Sequence, residues 1–233
     1  MWWIRAVVGD TIIEDEREAY MAKYLVMLPF QETFNARSGG AIARWVSEIY
    51  SRITAPGVAI CAITLNDGSD YKAVNVLSRQ NNLVRILRNI PIARRLLHFY
   101  YCFIYFSEIR SVQSIEIHNS FQYIRALRFL GYRNKIILHM HNDYLYDLDI
   151  NSLTFIYKNV HQVILCSHFL EKRLLSKCSL FRDKISVIKN GYDPDVFYPI
   201  PGMKDINCLG YVARVDENKG LSFLLEVYQL LLL

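Results

Sequence analysis

Two histidines and two glycines stand where an α/β chain places its ligand-binding residues. His118 and His141 each follow a short apolar stretch that is typical of a buried strand, and Gly39 and Gly40 lie between such a stretch and a helix. Because ligands of a parallel sheet bind beyond the carboxyl ends of its strands, these residues are expected to share one crevice. Glycines at a helix start expose backbone N–H groups that favour phosphate.

Each of these residues also has a structural interpretation. A single histidine is more often a hydrogen-bonded structural residue than a ligand, and His139, which lies inside a predicted strand, is expected to be one. Metal binding by His118 and His141 is not expected, because no carboxylate–histidine set accompanies them. The two glycines are not part of a GxGxxG pattern, so a dinucleotide-binding fingerprint is missing.

A second cluster of charge lies near the end of the sequence, in GYVARVDENKG. Arg214 and Lys219 stand on one loop between a predicted strand and a predicted helix. Arginine binds phosphate oxygens in a bidentate manner and lysine acts as a point charge, so the pair suits a diphosphate. The alternative is an ordinary solvated surface loop.

The elements that must position these residues follow from hydrophobic periodicity. Apolar runs alternate with segments of helical spacing, which indicates an α/β fold with a parallel sheet covered on both faces. Ser38 and Ser167 are expected to cap helices, and Gly131 to end one. The predicted strands are 23–30, 58–65, 72–78, 112–118, 135–140, 161–166, 184–189 and 206–213, and the longer predicted helices are 39–53, 91–109 and 120–131.

Composition bounds the class of protein. The 233 residues are 52% hydrophobic and 21% charged, which is globular, and the net charge of +5 suits an anionic partner. The five scattered cysteines, without CxxC spacing, indicate a reducing cytosol and no structural zinc. No secretory signal is recognised, and the longest apolar run, 96–106, is too short to span a membrane.

Three segments are predicted along the chain. Residues 1–20 are interpreted as an extension or a mis-assigned start, because Met21 directly precedes the first strand. Residues 21–200 form the main α/β domain. The Gly-, Pro- and Asp-rich stretch 190–202 reads as a linker, so residues 201–233 begin a second domain.

Taken together, several stretches resemble glycosyltransferase family 4, the retaining enzymes of the GT-B fold that use nucleotide sugars. The matching pieces occur in family order from about Met21 to the end of the sequence. They are LPF…SGGAIARWVSEI, IEIHNS, IILHMHND, VILCSHFLEKRL, VIKNGYDPDVFYP and GYVARVDENKG. An unrelated Rossmann oxidoreductase is disfavoured by this motif order and by the missing GxGxxG.

The resemblance implies a fold and a set of site residues. GT-B enzymes have two Rossmann-like domains facing a cleft, of which the N-terminal one binds the acceptor and the C-terminal one holds most of the donor. By this match His141 is the catalytic histidine, and the donor is a nucleotide sugar used without metal or cofactor. The other implied residues are His118 and Asn190 lining the cleft and Gly39, Gly40, Arg214 and Lys219 binding the donor phosphates.

The sequence also departs from the family pattern. Ala213 stands where the family has glycine before the arginine, and the Glu-x7-Glu motif of the C-terminal domain is missing. The resemblance therefore implies an incomplete donor domain. The expected function is transfer of a sugar to a glycan or lipid-linked acceptor in surface polysaccharide or glycolipid synthesis. The alternative is a non-catalytic remnant, or an acceptor-binding subunit whose partner chain supplies the missing domain.

A basic, aromatic stretch suggests where such an enzyme meets its acceptor. Residues 79–110 contain six arginines and one acidic residue together with several aromatic side chains. Basic charge beside aromatic surface suits a peripheral helix on an anionic membrane, here the inner face of the cytoplasmic membrane. The alternative is that the aromatic residues are core and the arginines are solvated. Nucleic acid binding is not expected. The predicted membrane-binding residues are Arg88, Arg94 and Arg95.

Overall fold

The computed structural model describes residues 24–52, 57–64, 70–71, 76–78, 91–200, 202, 209–213, 215 and 219–231. The expectations for residues 1–20 lie outside the described residues. The chain divides into two compact units, with the division after Asn190.

The first unit is built on a seven-stranded sheet in the order β3-β2-β1-β4-β5-β6-β7, and every neighbouring pair is parallel. This confirms the predicted α/β, Rossmann-like fold. The order reverses between β1 and β4, so these two strands form the switch point at which such sheets bind ligands. The strands are β1 Tyr24–Met27, β2 Val58–Ala62, β3 Val76–Ser78, β4 Ser114–His118, β5 Lys135–Met140, β6 Gln162–Leu165 and β7 Ile185–Val187.

Helices cover both faces of the sheet. Val26 and Ile60 point to one face and pack against Val46 of helix α1, whereas Leu25 and Ile115 point to the other face and pack against the remaining helices of this unit. Alternation along each strand produces this division. The helices are α1 Ala41–Tyr50, α2 Pro91–Ile104, α3 Phe106–Ser111, α4 Gln122–Phe129, α5 Ile150–Asn159 and α6 His168–Lys177, followed by the 3₁₀ helix Ser179–Asp183.

Two of the three predicted helix ends are confirmed. Ser167 Oγ accepts the Leu170 N–H at 3.3 Å, and Gly131 adopts a positive φ of 88° directly after α4. Ser38 does not cap α1, because Gly40 is the residue at that position and its N–H donates to the Glu32 carboxylate at 3.0 Å. The helix predicted over 91–109 is present as α2 and α3, with a break at Tyr105.

The second unit contains helix α7, Leu221–Leu231, and none of its described residues is buried. A strand was predicted over 206–213. Residues 209–213 pair with no strand among the described residues, so this prediction is wrong there, and residues 206–208 lie outside the described part. No helix in the described ranges combines the length and apolar character that crossing a bilayer requires.

Candidate functional site

Three stacked histidines stand at the carboxyl ends of the central strands. In the parallel register of β4 and β5, His118 pairs with His139, and His141 follows β5. Because residues two apart on a strand share a face, His139 and His141 project to the same side as His118. The three ring centroids lie 4.4–5.3 Å apart, with the rings 14–28° from parallel. The structure therefore brings together the two histidines that the sequence predicted to meet.

A buried carboxylate, Glu116, lies directly beneath the stack. Its Oε2 accepts the hydroxyls of Tyr24 at 2.7 Å and Tyr50 at 2.5 Å. Its Oε1 lies 2.9 Å from Nδ1 of His139 and 3.1 Å from Nε2 of His118, the latter contact being off the line of a hydrogen bond. The two hydroxyls and an Nδ1–H of His139 donate hydrogen bonds to the carboxylate, and an Nε2–H of His118 would attract it without an aligned hydrogen bond. These contacts compensate the cost of burying its charge.

His118 joins this buried network to the more accessible His141. Nδ1 of His118 lies 3.0 Å from Nε2 of His141, so one of the two nitrogens donates to the other. Trp45 of α1 covers the stack, with its ring centroid 4.8–5.5 Å from all three imidazoles. The half-buried His141 is the outermost member of a continuous chain from Glu116 through His118.

The electrostatics follow from this burial. Burial raises the pKa of Glu116, but His118 and His139 lower it by more, so the pKa lies well below its usual range. Burial also lowers the pKa of His118, against the opposing effect of Glu116. For His141, burial and then the two neighbouring imidazoles lower the pKa to about 2. At neutral pH the site therefore consists of an ionised carboxylate and a neutral His141.

Asn119 joins the end of β4 to the end of β5 through hydrogen bonds. Its side-chain Oδ1 accepts the backbone N–H of His141 at 2.7 Å, and its own N–H donates to the carbonyl of His139 at 2.9 Å. It adopts a positive φ of 52°, which asparagine tolerates better than most residues. Strained backbone of this kind persists only where surrounding contacts hold it in place, and it is frequent at functional sites.

Gly39 and Gly40 lie at the start of α1, about one turn before Trp45, as the sequence predicted. Their small size has a local cause, since a Cβ on Gly39 would stand 2.3 Å from the Asn35 carbonyl oxygen and one on Gly40 would stand 2.4 Å from the Glu32 carboxylate. The carboxylate of Glu32 accepts the Gly40 N–H, so this helix start already has an anionic partner. Burial raises the pKa of Glu32, so its carboxylate takes up a proton more readily than an exposed one does.

The remaining predicted residues lie elsewhere. Asn190 is exposed and follows the edge strand β7, three strands from β4. Lys219 is exposed at the start of the segment leading into α7. Arg94 and Arg95 lie within α2. Arg88 and Arg214 lie outside the described residues.

The histidines also have the composition of a metal site. One nitrogen from each of His118, His139 and His141 can be chosen so that all three lie within 4.8 Å of one another. The expectation that no carboxylate accompanies them is wrong, because Glu116 lies against two of the rings. The nearly parallel rings do not direct their nitrogens to a common point, as tetrahedral coordination requires.

Sequence reasoning missed Glu116, Trp45 and Asn119. The signal for Glu116 was present, because Glu and His two residues apart in SIEIH must share one face of a strand. Trp45 lies on α1, and its contact with the histidines depends on how that helix crosses the sheet.

A parallel sheet of this order, flanked by helices, defines a Rossmann-like domain, and domains of this class bind ligands at the carboxyl edge of the sheet. Residues 39–196, more than half of the chain, match the model of Glycosyltransferase Family 4. The chain therefore belongs to Glycosyltransferase Family 4.

A curated protein is similar to this chain over most of the chain's length. The chain is similar to the lipopolysaccharide 1,2-N-acetylglucosaminetransferase of Salmonella typhimurium, at 22% identity over 83% of this chain and 52% of that protein. The chain thus spans about half the length of this curated relative.

Proposed function

We propose that this chain forms the acceptor-side half of a retaining glycosyltransferase. The enzyme would transfer a sugar from a nucleotide-sugar donor to a glycan or lipid-linked acceptor in surface polysaccharide or glycolipid synthesis. The observation that carries this proposal is the neutral His141, held by His118 at the switch point of a family 4 domain. A neutral, half-buried imidazole can form hydrogen bonds with sugar hydroxyls and carries no charge that would attract competing anions.

The chemistry of sugar transfer gives the other groups their roles. Breaking the bond between a sugar and a diphosphate develops negative charge on the phosphate and oxocarbenium character on the sugar. We assign the Gly40 N–H to the phosphate side, since it begins the helix that carries Trp45 over the histidines. The Gly39 N–H donates to the Asn35 carbonyl at 2.8 Å, so a phosphate-binding role for Gly39 is proposed from the family resemblance alone. Arg214, Lys219 and Asn190 are proposed from the family resemblance alone. The proposed reaction uses neither metal nor cofactor.

The named relative directs the choice of substrates. Its name specifies N-acetylglucosamine as the sugar and lipopolysaccharide as the acceptor. We therefore propose a nucleotide-activated amino sugar as the first donor to examine and a lipopolysaccharide oligosaccharide as the first acceptor.

The direct test measures transfer of radiolabelled N-acetylglucosamine from its UDP derivative to truncated lipopolysaccharide. The wild-type chain and His141→Asn are compared, with His168→Asn as the matched control, because His168 is exposed on α6. With the donor-side half present, labelled product is expected with the wild type and the control and should be lost with His141→Asn. Equal product from all three proteins would contradict the role of His141. Acceptor binding without transfer would identify an acceptor-binding subunit and contradict catalysis by this chain.

We further propose that α2 and α4 present a membrane-facing patch, formed by Leu96, Phe99, Phe103 and Phe129. These side chains are 70%, 38%, 63% and 80% exposed, and the rings of Phe99 and Phe129 meet edge to face at 5.8 Å. The buried Tyr101 and Tyr105 belong to the core instead, so the aromatic residues of this stretch divide between the two interpretations. An exposed apolar stripe in an arginine-rich segment suits an anionic leaflet. The enzyme would act as a peripheral protein on the cytoplasmic side.

Liposome flotation tests this patch. Vesicles of phosphatidylglycerol and phosphatidylethanolamine are mixed with the wild type and with a variant carrying Arg88→Ala, Arg94→Ala and Arg95→Ala. The matched control removes the same charge at exposed positions elsewhere, with Lys158→Ala, Lys172→Ala and Arg182→Ala. Membrane partitioning should fall on the order of a hundredfold for the first variant only, since the three basic residues near the surface contribute about 1 kcal/mol each. Equal flotation of the two variants would contradict the proposal.

A further inference from the structure

Glu116 is placed to control where the protons lie on the histidine stack. Tyr24 and Tyr50 donate to its Oε2, and His139 Nδ1 lies 2.9 Å from its Oε1, so all three contacts suit an ionised carboxylate acting as acceptor. Each partner is buried, and no other carboxylate contacts the stack among the described residues. Glu116 therefore supplies a fixed negative charge at the closed end of the chain of imidazoles.

That charge determines the tautomer of His118. Nε2 of His118 lies 3.1 Å from Glu116 Oε1. A nitrogen lone pair at this distance from an ionised oxygen is repelled, whereas an N–H is attracted even when its alignment is imperfect. The proton of neutral His118 therefore lies on Nε2, which leaves Nδ1 as an acceptor.

The tautomer of His118 in turn determines which nitrogen of His141 carries the proton. The acceptor Nδ1 of His118 lies 3.0 Å from His141 Nε2, so this nitrogen must carry the proton of the neutral ring. The other nitrogen, Nδ1 of His141, is then unprotonated, and no described residue forms a hydrogen bond with it. Its exposure is partial, at the carboxyl edge of the sheet.

We propose that Glu116 is a positioning residue whose buried carboxylate orders the protons on His118 and His141, so that His141 offers an unprotonated Nδ1 to a substrate hydroxyl. The substrate part of this inference rests on the proposed function, and the proton order does not. Because Nδ1 accepts a hydrogen bond and cannot donate one, His141 selects a hydroxyl over a phosphate oxygen. Glu116 acts only through the two imidazoles and does not touch the substrate.

Nuclear magnetic resonance of the full chain labelled with ¹⁵N-histidine tests the proton order directly. At pH 7.5 the nitrogen shifts and two-bond couplings identify the protonated nitrogen of each ring. The expected pattern is Nε2–H for His118 and His141 and Nδ1–H for His139, since His139 donates to Glu116 through Nδ1. A proton on Nδ1 of His141, or a doubly protonated ring, would overturn the proposal, and this result needs no variant.

Variants then assign the cause. Glu116→Gln keeps the side-chain shape without the charge, and the ratio of tautomers at His141 should change roughly tenfold. Tyr50→Phe removes one donor to the same carboxylate and should leave the pattern unchanged, which separates loss of charge from loss of packing. Glu171→Gln is the matched control, because Glu171 contacts only the exposed His168 among the histidines. An unchanged pattern in folded Glu116→Gln would overturn the proposal.

A transfer assay on the same proteins separates this inference from the proposed function. Glu116→Gln should lower kcat with little change in KM. The altered proton order weakens the hydrogen bond between the substrate hydroxyl and His141 Nδ1 mainly in the transition state. If the wild type transfers no sugar but shows the expected tautomers, the proposed function fails and the role of Glu116 stands. If transfer occurs with a different proton order, the role of Glu116 fails alone.

Discussion

Replacing His141 should remove part of the pH dependence of the first unit's stability. Burial lowers the pKa of folded His141 to about 2, whereas an unfolded histidine titrates near 6.5. Between these values the unfolded chain binds more protons, so the free energy of unfolding falls as the pH falls. From pH 7.5 to 5.5 the unfolded ring goes from about one tenth to about nine tenths protonated while the folded ring stays neutral. This difference in protonation lowers the free energy of unfolding by about 1.4 kcal/mol between pH 7.5 and pH 5.5.

The assay is urea denaturation followed by circular dichroism at pH 8.5, 7.5, 6.5 and 5.5. The free energy of unfolding of the wild type should fall by about 1.4 kcal/mol more than that of His141→Asn between pH 7.5 and 5.5. Between pH 8.5 and 7.5 the difference between the two proteins should stay constant, which serves as the internal control. Parallel pH profiles down to pH 5.5 would show that the His141 ring accepts a proton in the folded protein and would refute the electrostatic argument.

Three further predictions concern the residues around the histidine stack. Glu32→Gln should strengthen binding of inorganic phosphate to the start of α1 by roughly three- to tenfold in calorimetry, because the native carboxylate competes for that N–H group; unchanged affinity would contradict this. Tyr50→Phe should destabilise the fold by about 1.5–3 kcal/mol in urea, the range for a hydrogen bond to a buried charge, and a loss under 0.5 kcal/mol would mean that the buried carboxylate is not ionised. Gly39→Ala should cost about 1–3 kcal/mol, because its Cβ would overlap the Asn35 carbonyl oxygen; Gly191→Ala, whose Cβ meets nothing within 4 Å, is the control and should be neutral.

The α/β class could be predicted from sequence because buried parallel strands and helices have different hydrophobic periods. The meeting of His118 and His141 followed from the same premise, since residues just after parallel strands share one edge. The strand order was beyond such reasoning. It depends on which strands pair, and the apolar runs of β1 and β5 do not specify their neighbours.

The interior of the site could not be predicted in the same way. A search for ligand-binding residues directly after strands does not find Glu116, because it lies within β4. A glutamate is rarely buried in a core unless partners compensate its charge, and Glu116 has four such partners. Two of those partners, Tyr24 and Tyr50, come from a strand and a helix distant in sequence, so the compensation is visible only in three dimensions. Likewise, the carboxylate of Glu32 at the start of α1 follows from loop geometry and not from a motif.

The measurement that tests the central claim most directly is backbone amide shift mapping of the ¹⁵N-labelled chain. UDP-N-acetylglucosamine and a truncated lipopolysaccharide oligosaccharide are added separately and together. We expect the shifts to concentrate at the carboxyl edge of the sheet, at residues 39–45, 118–120 and 141–143. Shifts confined to the opposite edge, at residues 113, 134–135 and 161, or no shifts with either ligand, would contradict a substrate site at the histidine stack.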